Sequence, residues 1–467
     1  MISLGLSRIT KLLQALKSPH CTTPVVHIAG TNGKGSVSAY LASILHAADI
    51  RVGRFNSPHL VDEWDCVRLN EKVVEESLFR RVKAEVETVN REESLEATPF
   101  EVLTATAFAL FARSNLDLAV VEVGMGGESD ATNVVPASKT LLSILTAVDL
   151  DHQGFLGNTV EEIAKVKSGI VRESGDLVVS RQAYPEVVEV AQSIAIRKGA
   201  TVWQAAAGRY LPPDGTTSSS RLRQASIPLA PSASSPNSAC HTLPSSPPSF
   251  VAQLPLPGSY QLDNSATAAL AIQLLRSLPR TTSIVPRLAT IRDGTFREGV
   301  ERTMWDGRLQ WIDWSPSAKP SKQGHVEASR VRHILLDGAH NPSSARLLSS
   351  YLGSLPKTER PSTLVFALSA PRNPWDVLEP LLESSTGIDR VVCVEFSPPS
   401  GMPWVRATPS EELHRSIESA ASRRLVIEHY KDIREAFSSA QKLDDSILVA
   451  GSLYLVADAL RMIRERS

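Results

Sequence analysis

A lysine and a serine set among three glycines, Gly30-Thr31-Asn32-Gly33-Lys34-Gly35-Ser36, stand between a short apolar run (25–29) and a helical run that reaches residue 48. Strand, glycine turn and helix in that order bring several backbone N–H groups together at a helix N-terminus, which is an anion site. Gly33 and Gly35 let the main chain approach a polyphosphate without a Cβ in the way. Lys34 reaches β/γ oxygens, and the Ser36 hydroxyl serves phosphate or its Mg²⁺. The spacing departs from the standard P-loop because Gly35 separates the lysine from the hydroxyl residue. The stretch predicts nucleoside triphosphate binding, with an amphipathic helix behind it.

Three further residue types sit where they could join that chemistry. Glu122 is a carboxylate inside an apolar β-like run (117–123) beside a glycine turn, and a buried carboxylate needs a partner. A Mg²⁺ ion bridging phosphates wants such an oxygen donor. Ser57 lies in an Asn-Ser-Pro turn after the run 51–55, and His152 follows the run 141–148. Ends of parallel strands face the ligand crevice, so Ser57, Glu122 and His152 are candidate ligands that can converge.

Strand and helix patterns alternate to residue 168, with surface-helix spacing over 75–90 and a capped helix start at Thr98-Pro99. Repetition of that unit predicts an α/β fold with a doubly wound, mostly parallel P-loop sheet. After Trp305-Asp306-Gly307-Arg308 the alternation resumes, with strands expected at 309–312, 333–336, 363–368, 390–394, 426–429 and 446–450 and a terminal helix over 453–464. These form a smaller Rossmann-like α/β domain, and the boundary is placed near 303, giving units 1–303 and 304–467. Between residues 211 and 250, 19 of 40 residues are Ser or Pro, a composition that predicts a disordered insertion.

Lys plus Arg is 49 against 50 for Asp plus Glu, so no global field draws nucleic acid or an anionic membrane. Small molecules are the expected partners. Cys21, Cys66, Cys240 and Cys393 form no Cys-x-x-Cys pair, which points away from zinc and from a disulfide framework and towards a reducing compartment. No apolar run approaches the ~18 residues of a membrane span. Residues 1–48 carry Arg8, Lys11, Lys17 and Lys34 without one acidic residue. A mitochondrial targeting helix would look like that, but cleavage would fall just before the nucleotide loop, so the helix is read as part of a cytoplasmic enzyme domain.

Taken together, AGTNGKGS (29–36), SPHL (57–60), TPFEVLTA (98–105), EVGMGG with DATN (122–133), LDHQGFLGNT (150–159), PG-x-x-Q-x-x-N (257–264), GR (307–308), DGAHN (337–341) and GSLYLV (451–456) resemble the folylpolyglutamate synthase and dihydrofolate synthase family of Mur ligases. Within it, ISLGLSRITKLL (2–13) and GMPWVRAT (401–408) look most like the stand-alone eukaryotic dihydrofolate synthases. The resemblance implies a Mur ligase central-domain type sheet, and a monomer is expected. Its reaction joins L-glutamate to dihydropteroate through an acyl phosphate, with ATP as co-substrate and Mg²⁺ as cofactor.

Carried over residue by residue, the resemblance places Gly33, Lys34, Gly35 and Ser36 on the ATP phosphates and Ser57, Glu122 and His152 on Mg²⁺. Asn264, Arg308 and Asp337 would bind ATP from the linker side and the second domain, with His340 nearby. The pterin would meet residues 1–4, Thr98, Phe100 and Glu101, and Ser129, Asp130 and Ala131. Lys34 and His152 would act in catalysis with Lys167, which aligns with the lysine that Mur-type ligases carbamylate, whereas Lys165 would be an ordinary surface lysine. Four positions depart from the pattern: Glu128 for the usual Arg, Asp306 for Pro, Val166 for Glu and Tyr260 for His. Polyglutamate extension of tetrahydrofolate, a P-loop kinase, and a folate- or nucleotide-binding protein weakened by Glu128 stay open as alternatives.

Overall fold

The computed structural model describes residues 5–212, 222–231, 249–314, 332–399, 405–420, 425–439 and 446–466. Eight strands build the first sheet: β1 (Val25–Ala29), β2 (Val52–Phe55), β3 (Val67–Leu69), β4 (Lys72–Val73), β5 (Leu118–Glu122), β6 (Thr140–Leu145), β7 (Asp176–Val179) and β8 (Thr201–Gln204). Their order is β4-β3-β2-β5-β1-β6-β7-β8, parallel from β2 to β8 and antiparallel at the β3 and β4 edge. β1, β5 and β6 are buried at every residue, which is why they read as continuous apolar runs rather than alternating ones. Because β2, β5, β1 and β6 are neighbours, the turn at Ser57, Glu122, the loop 30–36 and the segment leading to His152 all leave one carboxyl edge.

The helix Lys34–Ala47 behind the loop differs from the amphipathic element expected. Every residue from Ser36 to Leu45 is buried. Helices Tyr260–Ser277 and Asp293–Glu301 cover its outer face. Ser43 Oγ donates to the Gly299 carbonyl at 2.6 Å, and a Cβ on Gly299 would lie 2.4 Å from Ile44 Cα. A helix sandwiched this way needs no polar face.

The Ser/Pro-rich stretch is only partly what its composition predicts. β9 (Arg209–Tyr210), β10 (Arg223–Pro228) and β11 (Ser249–Leu254) form an antiparallel sheet of order β11-β10-β9. Ala225, Ile227 and Leu229 are buried in the same core as Val37 and Tyr40 of the loop helix. The expectation of disorder over 211–250 therefore fails for 222–231 and 249–250, because period-2 alternation on β10 supplies a buried face; 213–221 and 232–248 lie outside the described residues. Deleting 213–248 behind a short Gly/Ser linker is accordingly expected to destabilise the protein. Loss of a buried Ile or Leu alone costs about 2–5 kcal/mol. Thermal melts and soluble yield check this; an unchanged melting temperature would show that β10 is dispensable.

The second sheet holds β12 (Gln310–Trp314), β13 (Arg332–Leu336), β14 (Thr363–Phe366), β15 (Arg390–Glu395), β16 (Val426–Asp432) and β17 (Ser446–Ala450), ordered β12-β13-β17-β14-β15-β16. Only the β12 edge is antiparallel. Both faces are covered: Ile334, Val365 and Ile447 face one core and Leu335, Leu364 and Leu448 the other. The turn after β2 reaches this unit, since Val61 packs into the first of those cores and the Arg461 guanidinium donates to its carbonyl. Among the described residues, no helix is long and apolar enough to cross a membrane.

Candidate active site

The helix behind the nucleotide loop begins at Lys34, with Gly33 as N-cap at φ +89°, a left-handed conformation that glycine adopts without strain. A Cβ on Gly33 would lie 2.4 Å from Asn264 Oδ1, and one on Gly35 would lie 2.5 Å from the Trp305 indole. That second contact accounts for the inserted glycine between Lys34 and Ser36. Thr31 and Asn32 donate their amides to the Ala147 carbonyl beyond β6, at 2.8 and 3.0 Å, and the first amides of the helix that follows have no intrahelical acceptor. Lys34 Nζ donates to the Gly30 and Thr31 carbonyls at 3.1 and 3.2 Å. Ser36 Oγ accepts from Gln261 Nε2 at 3.3 Å, and Gln261 accepts from Asn264 at 3.0 Å, so one face of a helix more than 200 residues downstream completes the loop.

Glu122 ends β5 with its carboxylate buried, Oε2 accepting from Asn56 Nδ2 at 2.7 Å and Oε1 lying 3.9 Å from Lys34 Nζ. Burial raises its pKa, opposed by Lys34, the Asn56 bond, Arg308 and Arg54. Asn56 thus orients the carboxylate, a role its place in an Asn-Ser-Pro turn did not reveal. Ser57 follows directly, and its hydroxyl is buried without a hydrogen-bond partner. An orphaned hydroxyl on the residue after the one that orients the carboxylate fits a hard cation. Among the described residues, no three His, Cys, Asp or Glu side chains group closely enough to hold a metal. An ion here would draw its remaining ligands from hydroxyl, phosphate, water or a modified side chain.

Lys167 lies on the helix Val160–Ser168, buried, with Nζ donating to the Gly30 carbonyl at 2.9 Å; Lys165 on the same helix is exposed. Desolvation, helped by the charge of Lys34, lowers the Lys167 pKa to about 7. His152 is the exposed N-cap of a short helix at φ +53°, with Nε2 3.8 Å from Asp151 Oδ2. Partial desolvation lowers its pKa, opposed by Asp151 and helped by the charges of Lys167 and Lys34. The structure brings Lys34, Glu122, Ser57 and Lys167 around the loop and leaves His152 at its rim.

From the second sheet, the segment after β13 closes over the loop. Asp337 is buried, its two oxygens accepting from Leu309 N at 2.9 Å and Ala339 N at 2.8 Å, and burial raises its pKa against the pull of Arg308. Arg308 Nη1 donates to the Gly307 carbonyl at 3.1 Å. His340 hydrogen-bonds the Gly338 carbonyl through Nδ1 at 2.7 Å, and burial drops its pKa to about 4, leaving a neutral ring. Asn32 Nδ2 reaches Ser343 Oγ at 3.5 Å, a direct link from the loop to this turn.

The residues expected at a pterin divide into two groups. Thr98 and Glu101 are occupied by a reciprocal capping box, at 3.2 and 2.7 Å, and Glu101 also pairs with Arg8 at 3.0 Å. Asp130 is buried, accepting from Met125 N at 2.8 Å, Thr132 N at 3.0 Å and Thr132 Oγ1 at 2.5 Å, while Thr132 Oγ1 is bound by His27 Nε2 at 2.8 Å. This chain holds the loop after β5 in shape, so Asp130 acts first on its own backbone. Ala131 sits in the apolar core. Phe100 remains half-exposed above Gly124, stacked on Phe55 at 6.3 Å, and Ser129 and the charge-reversed Glu128 are exposed. Residues 1–4 and 401–404 lie outside the described residues.

Comparison with known proteins meets this geometry from a separate direction. Residues 28–272 match the Mur ligase middle domain and residues 324–462 match the dihydrofolate synthetase C-terminal domain. The dihydrofolate synthetase of Saccharomyces cerevisiae is 34% identical, the match covering 99% of this chain and 98% of the relative. A probable dihydrofolate synthetase of Schizosaccharomyces pombe is 33% identical over 99% of both chains. Among solved structures, E. coli FolC in complex with DHPP and ADP superposes with a TM-score of 0.73 at 27% identity, covering 100% of this chain and 94% of that one. With both domain models matched and full-length relatives above 30% identity, the chain belongs to the dihydrofolate synthetase family of Mur-type ligases.

Proposed function

We propose that this chain ligates L-glutamate to 7,8-dihydropteroate at the expense of ATP, giving dihydrofolate, ADP and phosphate. The observation that carries the reading is the convergence of the loop amides, Lys34, Glu122 and the buried Lys167 amine at one carboxyl edge. Both sheets contribute to that cleft within one chain, so a monomer suffices, and the free thiols of Cys21, Cys66 and Cys393 suit a reducing compartment such as the cytoplasm.

In this reading, the loop amides from Gly33 to Ser36 and the Lys34 ammonium hold the ATP phosphates, with Asn264, Arg308, Asp337 and His340 on the nucleotide from the other side. The pteroate carboxylate attacks the γ-phosphorus, the bond to the β-phosphate oxygen breaks, and ADP leaves an acyl phosphate. The glutamate amine then attacks the acyl carbon and gives up a proton as phosphate departs with the carbon–oxygen bond. Position and charge do most of this work. Glu122, Ser57 and His152 would hold Mg²⁺, which screens phosphate charge when bound. Lys167, by adding its neutral amine to CO₂ and losing a proton, would become a carbamate and supply the missing anionic ligand. Phe100 offers the pterin an aromatic face, with Ser129 at the opening and the Thr98, Glu101, Asp130 and Ala131 framework keeping both turns in place.

The test is ADP release by the purified full-length protein with ATP, glutamate and dihydropteroate. Turnover that requires all three supports ligation. ATP consumption without glutamate indicates a kinase, tetrahydrofolate as the better acceptor indicates polyglutamate extension, and nucleotide binding without turnover indicates a binding protein.

A further inference from the structure

Arg54 lies on β2 with no exposed side-chain surface, and among the described residues none of its three guanidinium nitrogens has a hydrogen-bond partner. Its one close anion is Glu71, at 3.2 Å. Its guanidinium carbon lies over the Trp305 ring, 5.0 Å from the indole centroid. Trp305 in turn leaves no room for a Cβ on Gly35, and its own N–H is buried without a partner. A fully buried cation with one ion pair and no hydrogen bond, stacked with an unpartnered indole N–H beneath the nucleotide loop, is a poor way to fill a core; an apolar side chain of equal volume would cost less desolvation. We infer that Arg54 and Trp305 are a positioning pair, in which Arg54 holds the indole against Gly35 and so ties the segment between the two sheets to the phosphate-binding end of the helix Lys34–Ala47.

The chemistry of the two side chains suits that task. A guanidinium is planar, stays charged and stacks on an aromatic face, and a cation over an indole gains most where water is excluded. Lysine keeps the charge without the plane. Arg54 remains protonated at neutral pH: burial and Arg68 lower its pKa, Glu71, Glu122 and Asp306 oppose them, and the balance stands at about 10. Trp305 sits next to Asp306, Gly307 and Arg308, so whatever fixes the indole also fixes where Arg308 enters the cleft. The pair acts through the loop and needs no contact with nucleotide.

This inference rests on the nucleotide-binding reading of the loop, and the experiment separates the two. MgADP affinity is measured by calorimetry on the full-length protein, alongside KM for ATP and for dihydropteroate. Arg54→Met and Trp305→Leu are each expected to weaken MgADP about tenfold, the scale of one desolvated cation–π contact, and to raise the KM for ATP while that for dihydropteroate holds. The double variant should be no weaker than either single one, because one interaction is lost once. Arg54→Lys should recover part of the affinity. Additive losses, unchanged affinity, or equal shifts for ATP and dihydropteroate would overturn the pairing. If Arg54→Met fails to fold, Trp305→Phe decides: keeping an aromatic face, it should retain more affinity than Trp305→Leu, and equal loss refutes the inference. Wild-type protein that binds no MgADP would overturn the function reading together with this one.

Discussion

Glu122→Gln is expected to lower turnover on the order of 10²–10³-fold, the scale seen when one preorganised electrostatic contact to a developing charge is removed. The substitution keeps shape and volume at the end of β5 and leaves an oxygen for Asn56, which now binds Glu122 Oε2 at 2.7 Å. What it removes is the anion beside Lys34. The fold should not suffer. The raised pKa of Glu122 means that its surroundings, burial above all, disfavour the charged form, so a neutral amide relieves a penalty. Melting temperature should therefore stay level or rise while kcat collapses. Paired assays across a Mg²⁺ titration decide the matter, and near-wild-type turnover at saturating Mg²⁺ would sink the ligand assignment.

Lys167→Ala should be the second severe lesion, with Lys165→Ala close to wild type although the two lysines share one short helix. Lys167 is buried against the Gly30 carbonyl, whereas Lys165 points to solvent. Carbamylation needs a neutral amine, and a pKa lowered to about 7 supplies it at physiological pH. Small exogenous carboxylates should partly restore Lys167→Ala, and the wild-type protein should carry the added mass of one CO₂ under trapping conditions. The pH dependence follows with a definite sign. Below about 7 the amine is protonated in both states and the fold bears the full burial penalty. Between about 7 and 10.5 the unfolded chain binds the proton and the native state does not, so stability rises with pH through that window and levels off above it. Activity should likewise fall as pH drops through about 7, and carboxylate-rescued Lys167→Ala should lose that acid limb. Equal, small effects of both lysine substitutions would return Lys167 to an ordinary structural role.

The sequence by itself determined the elements whose information is local. The loop 30–36, the strand ends at Ser57 and Glu122 and the second alternating unit were legible because glycine spacing, apolar runs and caps act over a few residues. The observed strands at 25–29, 363–366 and 446–450 lie where those runs predict them. Tertiary structure alone decided the rest. β10 was hidden because three buried side chains at period 2 vanish in a composition dominated by Ser and Pro, and their partner faces come from a helix near residue 40. Nothing local distinguishes Lys167 from Lys165, since desolvation depends on what the rest of the fold places around an amine. Thr98, Glu101 and Asp130 read as substrate contacts, and only the fold shows that Thr98 Oγ1, one Glu101 oxygen and the Asp130 carboxylate are also tied into their own turns. Trp305 over Gly35, Gln261 on Ser36 and Arg54 beneath the indole join residues more than 200 positions apart. Contacts of that range leave no pattern in one sequence, because either partner alone is compatible with many environments and only packing selects the pair.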